Sequence, residues 1–169
     1  MAAQRRNLIV SILFTVFGGP GIVLFFLPLS MTRFRIPIGE PRSQLLLGFG
    51  LIAVGLTPGL ESVVRFVFVG RGALLPTTPP ENLVVSGFYR YVRNPMYVGV
   101  LVALAGEGVL FWSRGLVVEE VLVFIGLNLF FRLHEEPFLA RRHPEEYPHY
   151  KSHVPRWLPR LTPWTGPQA

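Results

Sequence analysis

From Leu8 to Leu29 the chain runs for about 22 residues without a charge. At about 1.5 Å of rise per residue, such a helix spans about 30 Å of hydrocarbon. The run is too long for the apolar core of a signal peptide and has no small-residue cleavage site, so a retained membrane helix is predicted despite Arg5 and Arg6 just before it. A second run, Gln44 to Val69, is equally long. Two shorter ones, Tyr97 to Trp112 and Leu116 to Phe131, hold about 16 residues each, marginal for a full span, and are joined by Ser113-Arg114-Gly115. They read as a helical hairpin, either tilted or re-entrant. Half of the 169 residues are hydrophobic, 15% are charged and the mean hydropathy is +0.44. The predicted fold is therefore an all-α integral membrane protein of about four transmembrane segments, in one domain (1–169), with two N-terminal membrane helices (8–69) and a polar C-terminal segment.

The net charge of +6 comes from 15 arginines and one lysine against ten glutamates, with no aspartate. The basic residues flank the apolar runs, which marks them as topology signals rather than a nucleic-acid surface. With the N-terminus inside, eleven fall on inner segments and four (Arg33, Arg35, Arg42 and Arg114) on outer loops, which predicts a multi-pass protein with both termini cytoplasmic. The absence of cysteine excludes disulfides, thiolate metal sites and a cysteine nucleophile.

Local signals refine this layout. Gly18-Gly19-Pro20-Gly21 predicts a kink or close approach in the first helix. Glu61 and Arg65 share a helix face and read as an interfacial ion pair. The connection from Gly70 to Ser86, with Pro76, Pro79 and Pro80, reads as a loop leading to a short extended piece, Asn82 to Val85. Glu107, Glu119 and Glu120, near the hairpin tip, read as outer-interface residues. Tyr147, Tyr150, Val154, Trp157 and Leu158 recur at roughly helical spacing and predict a surface helix and its exit.

Two polar clusters stand at the edges of the hairpin. The first is Gly87-Phe88-Tyr89-Arg90-Tyr91-Val92-Arg93-Asn94-Pro95-Met96-Tyr97-Val98-Gly99. Taken singly, its tyrosines are an aromatic belt, its arginines are anchors, and Asn94 and Pro95 are the cap and first turn of a helix. The second is Arg132-Leu133-His134-Glu135-Glu136-Pro137-Phe138. Arg132 and Glu136 share a helix face and Glu135 points about 100° away, so one arginine cannot satisfy both carboxylates. Charge at membrane depth is costly, and the hairpin returns the second cluster to the level of the first. A polar pocket suited to a partly cationic cofactor and a lipid-borne substrate is expected there. Other chemistries fit poorly. No phosphate loop ends in Lys-Ser/Thr, no serine stands in a nucleophile elbow, and His134, His143, His149 and His153 show no metalloprotease spacing, so no metal is expected.

At these residues the chain resembles the isoprenylcysteine carboxyl methyltransferase family and the wider group of membrane methyltransferases that includes phospholipid N-methyltransferases. The resemblance covers Asn82 to Pro159 and rests on Gly87-Phe88-Tyr89, Arg93-Asn94-Pro95-Met96-Tyr97-Val98-Gly99, Arg132 to Glu136, and Tyr147 to Pro155. It implies a methyltransferase core (82–159) that binds S-adenosylmethionine at the cytoplasmic edge and releases S-adenosylhomocysteine. It also implies roles: Tyr89, Asn94, Pro95, Met96 and Tyr97 line the cofactor site, Leu83 and Val84 contribute backbone, Glu136 with Glu135 supplies the acidic group, and Arg132 faces the substrate as the catalytic residue. The implied partners are the bilayer and a lipid-borne or small hydrophobic methyl acceptor. The wording is mixed: Asn94 and Glu135-Glu136-Pro137-Phe138 resemble the phospholipid amine enzymes, Val154-Pro155-Arg156-Trp157 the prenylcysteine ones. A nicotinamide-dependent membrane reductase and a non-enzymatic membrane scaffold are the alternatives from other classes.

Overall fold

The structure, a computed structural model, describes residues 2–33, 39–71 and 81–166. Among them it is all helical, without a strand. Arg35, Pro76, Pro79 and Pro80 lie outside the described residues.

The first apolar run is a broken helix: α1 (Ala2–Phe17), the single turn α2 (Gly19–Gly21), a π turn (Ile22–Phe26) and α3 (Leu27–Met31). The break falls at Gly18 (φ −97°, ψ −152°), within the glycine-proline stretch that predicted a kink. Next come α4 (Arg42–Phe68), a 3₁₀ turn (Gly87–Arg90), α5 (Pro95–Phe111) and α6 (Arg114–Phe130). A second π turn (Phe131–Glu135), α7 (Glu136–Arg142) and α8 (Glu146–His153) complete the chain before an irregular tail. Two helices, Gln4–Met31 and Arg42–Phe68, are long and apolar enough to cross a membrane; α5 is apolar but shorter.

Each π turn ends two residues before a proline, Pro28 and Pro137. Proline has no amide proton, and its ring crowds the carbonyl four residues back, which strains a plain α-helix, although α4 carries Pro58 without a π turn. At Pro28 and Pro137 the chain widens by one residue instead: Leu27 N–H bonds to Ile22 O and Glu136 N–H to Phe131 O. One extra residue in the turn rotates the next stretch of helix by roughly 100° relative to a plain helix.

α4 and α5 pack along a seam of glycines. A Cβ at Gly55 would overlap the Gly99 carbonyl oxygen, and one at Gly106 would press on Gly48 and Ile52. Such small residues let two apolar helices approach closely. Gln44 Nε2 donates to Leu110 O at 3.0 Å and pins the end of this seam near the hairpin tip.

The hairpin carboxylates turn inward: Glu107 and Glu119 are buried within the protein, and Glu120 is half-buried. Glu107 Oε2 and both oxygens of Glu119 have no hydrogen-bond partner among the described residues. The helix phase turns these two side chains into the helix pack, a feature that distance from the hairpin tip does not encode.

Candidate active site

The first polar cluster is held from behind by α4. Glu61 Oε2 accepts the Phe88 N–H at 3.1 Å, and Arg65 donates to Glu61 Oε1 (3.0 Å) and Ser86 Oγ (3.0 Å). The predicted ion pair thus also clamps the 3₁₀ turn onto the helix. Gly87 has φ +60°, and a Cβ there would strike Glu61 and Arg65. Tyr150 Oη donates to Tyr89 O at 2.6 Å, which fixes the turn from the other side. Asn94 occupies the N-cap position of α5 and its carbonyl accepts the Val98 N–H at 3.0 Å, but its side chain makes no capping bond and faces a cavity instead. Pro95 is buried in the first turn of α5, as its lack of an amide proton suits.

In the second cluster the adjacent carboxylates part company. Glu136 is buried and receives Arg93 Nη1 (3.0 Å), Lys151 Nζ (2.7 Å) and Arg156 Nε (2.6 Å). Burial raises its pKa, but Lys151, Arg93 and Arg156 outweigh that, and the group lies below its ordinary value. Arg93 also donates to Tyr147 Oη at 3.2 Å. Arg132, expected to share the face of Glu136, is exposed and makes no ion pair or hydrogen bond among the described residues. The hub shows why: three cations from other segments already occupy the carboxylate.

Asn128, near the C-terminal end of apolar α6, completes the hub. Its Oδ1 accepts Arg156 Nη1 (3.1 Å) and Trp157 Nε1 (3.3 Å). A lone amide inside an apolar run was its sequence signal. The tail then crosses the first cluster as a strap, through Arg93 N–H to Pro155 O, Arg160 N–H to Tyr91 O and Trp164 N–H to Arg90 O, each 2.9 Å. Trp164 closes a buried cluster with Val85, Tyr147, Tyr150 and Val154.

Between the clusters lies a cavity of about 630 Å³. Of the residues expected there, Leu83, Val84, Tyr89, Asn94, Met96, Tyr97 and Glu135 line it; Pro95, Glu136 and Arg132 do not. The sequence reading missed Asn82, Arg93, His134, Arg141, His143, Tyr147 and Tyr150 on its polar walls, and Phe14, Phe66, Phe130, Leu133 and Phe138 on its apolar side. Glu135 is the only lining carboxylate and has no hydrogen bond or ion pair among the described residues. Burial, reinforced by the charge of Glu136, pushes its pKa up to about 7. Burial likewise raises Tyr89 and Tyr150, and Tyr147 to about 12, so all three phenols stay neutral hydrogen-bonding groups. No group of three or more His, Cys, Asp or Glu among the described residues could hold a metal ion.

Residues 43–146 match the family model described as phospholipid methyltransferase. The chain belongs to this family. It comprises membrane methyltransferases related to isoprenylcysteine carboxyl methyltransferase. No curated protein and no solved structure matches the chain. The phospholipid methyltransferase match runs from the start of α4 to the start of α8 and includes Arg93, Asn94, Glu135 and Glu136. Tyr147, Tyr150, Lys151, Arg156 and Phe14 fall outside it, so the cavity is finished by parts of the chain beyond the matched stretch.

Proposed function

We propose that this phospholipid methyltransferase family member is an integral membrane S-adenosylmethionine-dependent methyltransferase acting on a lipid-borne or small hydrophobic acceptor. In this reading the chain has four membrane segments, both termini in the cytoplasm and its active site at the cytoplasmic edge. The observation that carries it is Glu135, a carboxylate that makes no ion pair among the described residues, in a cavity of about 630 Å³. An isolated buried charge is costly, and a cationic ligand offsets the cost. The volume lies within the roughly 300–1,000 Å³ of ordinary cofactor pockets.

S-adenosylmethionine, when bound, supplies a methyl group on a positively charged sulfonium. Glu135 balances the ligand's positive charge. Tyr89, Asn94, Met96 and Tyr97 shape one wall, with the backbone at Leu83 and Val84. Glu136 serves as a positioning residue: through Arg93, Lys151 and Arg156 it joins the first cluster, α8 and the tail around the cavity. Phe14, Phe66, Phe130 and Leu133 form an apolar approach that admits the acceptor from lipid and keeps water out, so positioning and dryness supply most of the catalysis. Arg132, exposed and next in sequence to Leu133, orients an anionic group of the acceptor.

Two acceptors remain in view. The family match favours a phospholipid amine, whose nitrogen must lose a proton, and Glu135 or water is then the acceptor of that proton. The Val154-Pro155-Arg156-Trp157 ending favours a prenylcysteine carboxylate, which needs no base. Calorimetry tests the common core: the purified protein binds S-adenosylmethionine and Glu135→Gln weakens binding at least about tenfold, about 1.4 kcal/mol. An intact fold with no binding overturns the reading. Labelled cofactor then separates the acceptors, since a methyl ester is released by base and an N-methyl group is not.

A further inference from the structure

The tail after α8 does not run off into water. Trp157 packs on Phe124 (ring centroids 5.1 Å) and Phe131 (5.6 Å), and its Nε1 donates to Asn128 Oδ1 at 3.3 Å. Phe124 precedes the end of α6, Phe130, by six residues, about 9 Å along the axis. The tail therefore folds back along α6, onto the flank that also exposes Phe124, Ile125 and Leu129. Next to Trp157, Leu158 is 80% exposed, and Leu161 is 99% exposed, the most open large apolar side chains on the tail. Arg156 beside them is tied down to Glu136 and Asn128, and Arg160 is held by its N–H to Tyr91 O and its Nη1 to His153 O. Two leucines presented outward by a segment pinned on both sides make a fixed apolar projection rather than a frayed end.

We propose that segment 157–161 is a membrane wedge: Leu158 and Leu161 insert into the hydrocarbon of the leaflet that faces the active site, with Trp157 at the interface. Two leucines and an indole removed from water favour insertion by their apolar area, and tryptophan takes the interfacial level in membrane proteins. The wedge is continuous with the strap over Arg90–Arg93, so contact with lipid holds the strap against the wall that carries Asn94. This rests on the reading of α6 as a membrane helix.

The absence of cysteine makes the test clean. Single variants Leu158→Cys and Leu161→Cys, each on an exposed side chain, are labelled with a nitroxide and reconstituted in phosphatidylcholine vesicles. Their accessibility to oxygen, which concentrates in hydrocarbon, is compared with that to a water-soluble nickel chelate. Leu122→Cys on the exposed face of α6 and Ser152→Cys on exposed α8 are the references. The wedge predicts that both tail labels favour oxygen, as Leu122→Cys does, at a depth of about 5–10 Å below the headgroup boundary. Tail labels that behave like Ser152→Cys, or that are shielded from both reagents by a second copy, overturn the wedge while Leu122→Cys upholds the membrane reading. A nickel-accessible Leu122→Cys overturns the membrane reading itself.

Discussion

At the scale of single residues, the informative contrast is between Glu135 and Glu136, neighbours in sequence with opposite electrostatics. Glu136 faces three cations and stays ionised; Glu135 faces the cavity, with its pKa at about 7. The native state holds the Glu135 proton between the unfolded value, about 4.5, and about 7. This group's contribution to stability is therefore fully present below the lower value and is lost as pH rises through about 7. Binding of a cation runs the other way, because only the ionised form attracts it. Affinity for S-adenosylmethionine is expected to rise between pH 6 and 8 and to become flat in Glu135→Gln; a profile unchanged by that substitution assigns the titration elsewhere. Glu136→Gln leaves Arg93 and Arg156 buried without a counter-ion and is expected to cost about 3–5 kcal/mol, read as a lower melting temperature. That the two carboxylates need different surroundings was legible in the sequence, since one arginine cannot satisfy two. Which one meets the cavity was not, because the hub takes Lys151 and Arg156 from a distant part of the chain.

At the scale of elements, the legible features were those with local causes. The break at Gly18 and the hairpin turn at Ser113 arise from glycine, proline and the end of an apolar run. The π turn before Pro137 has a local cause too, yet a helical wheel drawn on Arg132 and Glu136 assumes a plain helix and so misses it. The glycine seam is half legible: the glycines are visible, their partners are not. Gly87→Ala is expected to cost about 1–2 kcal/mol from its positive φ alone, with Glu61 and Arg65 displaced as well. Gly55→Leu should force α4 from α5 and cost at least about 1–3 kcal/mol, seen in thermal unfolding in detergent. Glu119 makes the opposite case. Both its oxygens are buried without partners, so Glu119→Leu is expected to raise the melting temperature, the unmet desolvation of such a group being about 1–3 kcal/mol.

At the scale of the whole molecule, the cavity belongs to no single stretch. Phe14 comes from α1, Phe66 from α4, Tyr97 from α5, Glu135 from the π turn and Tyr150 from α8. The family match ends at residue 146, and the tail beyond it either covers the site or helps to build it. The geometry favours building. Trp164 is buried against Val85, Tyr147, Tyr150 and Val154, and its backbone holds Arg90 through two bonds, its N–H to Arg90 O (2.9 Å) and Arg90 Nε to its own carbonyl (2.7 Å). Tyr147 and Tyr150 line the cavity, and Tyr150 fixes Tyr89, so removing the indole loosens two walls at once. Trp164→Ala is expected to destabilise the protein by about 3–5 kcal/mol. It should also weaken S-adenosylmethionine binding at a temperature where the variant remains folded, whereas Trp164→Phe restores most of both. Calorimetry beside a circular-dichroism melt separates the outcomes. Lower stability with unchanged affinity makes the tail a cover; loss of both, recovered together by phenylalanine, makes it part of the site.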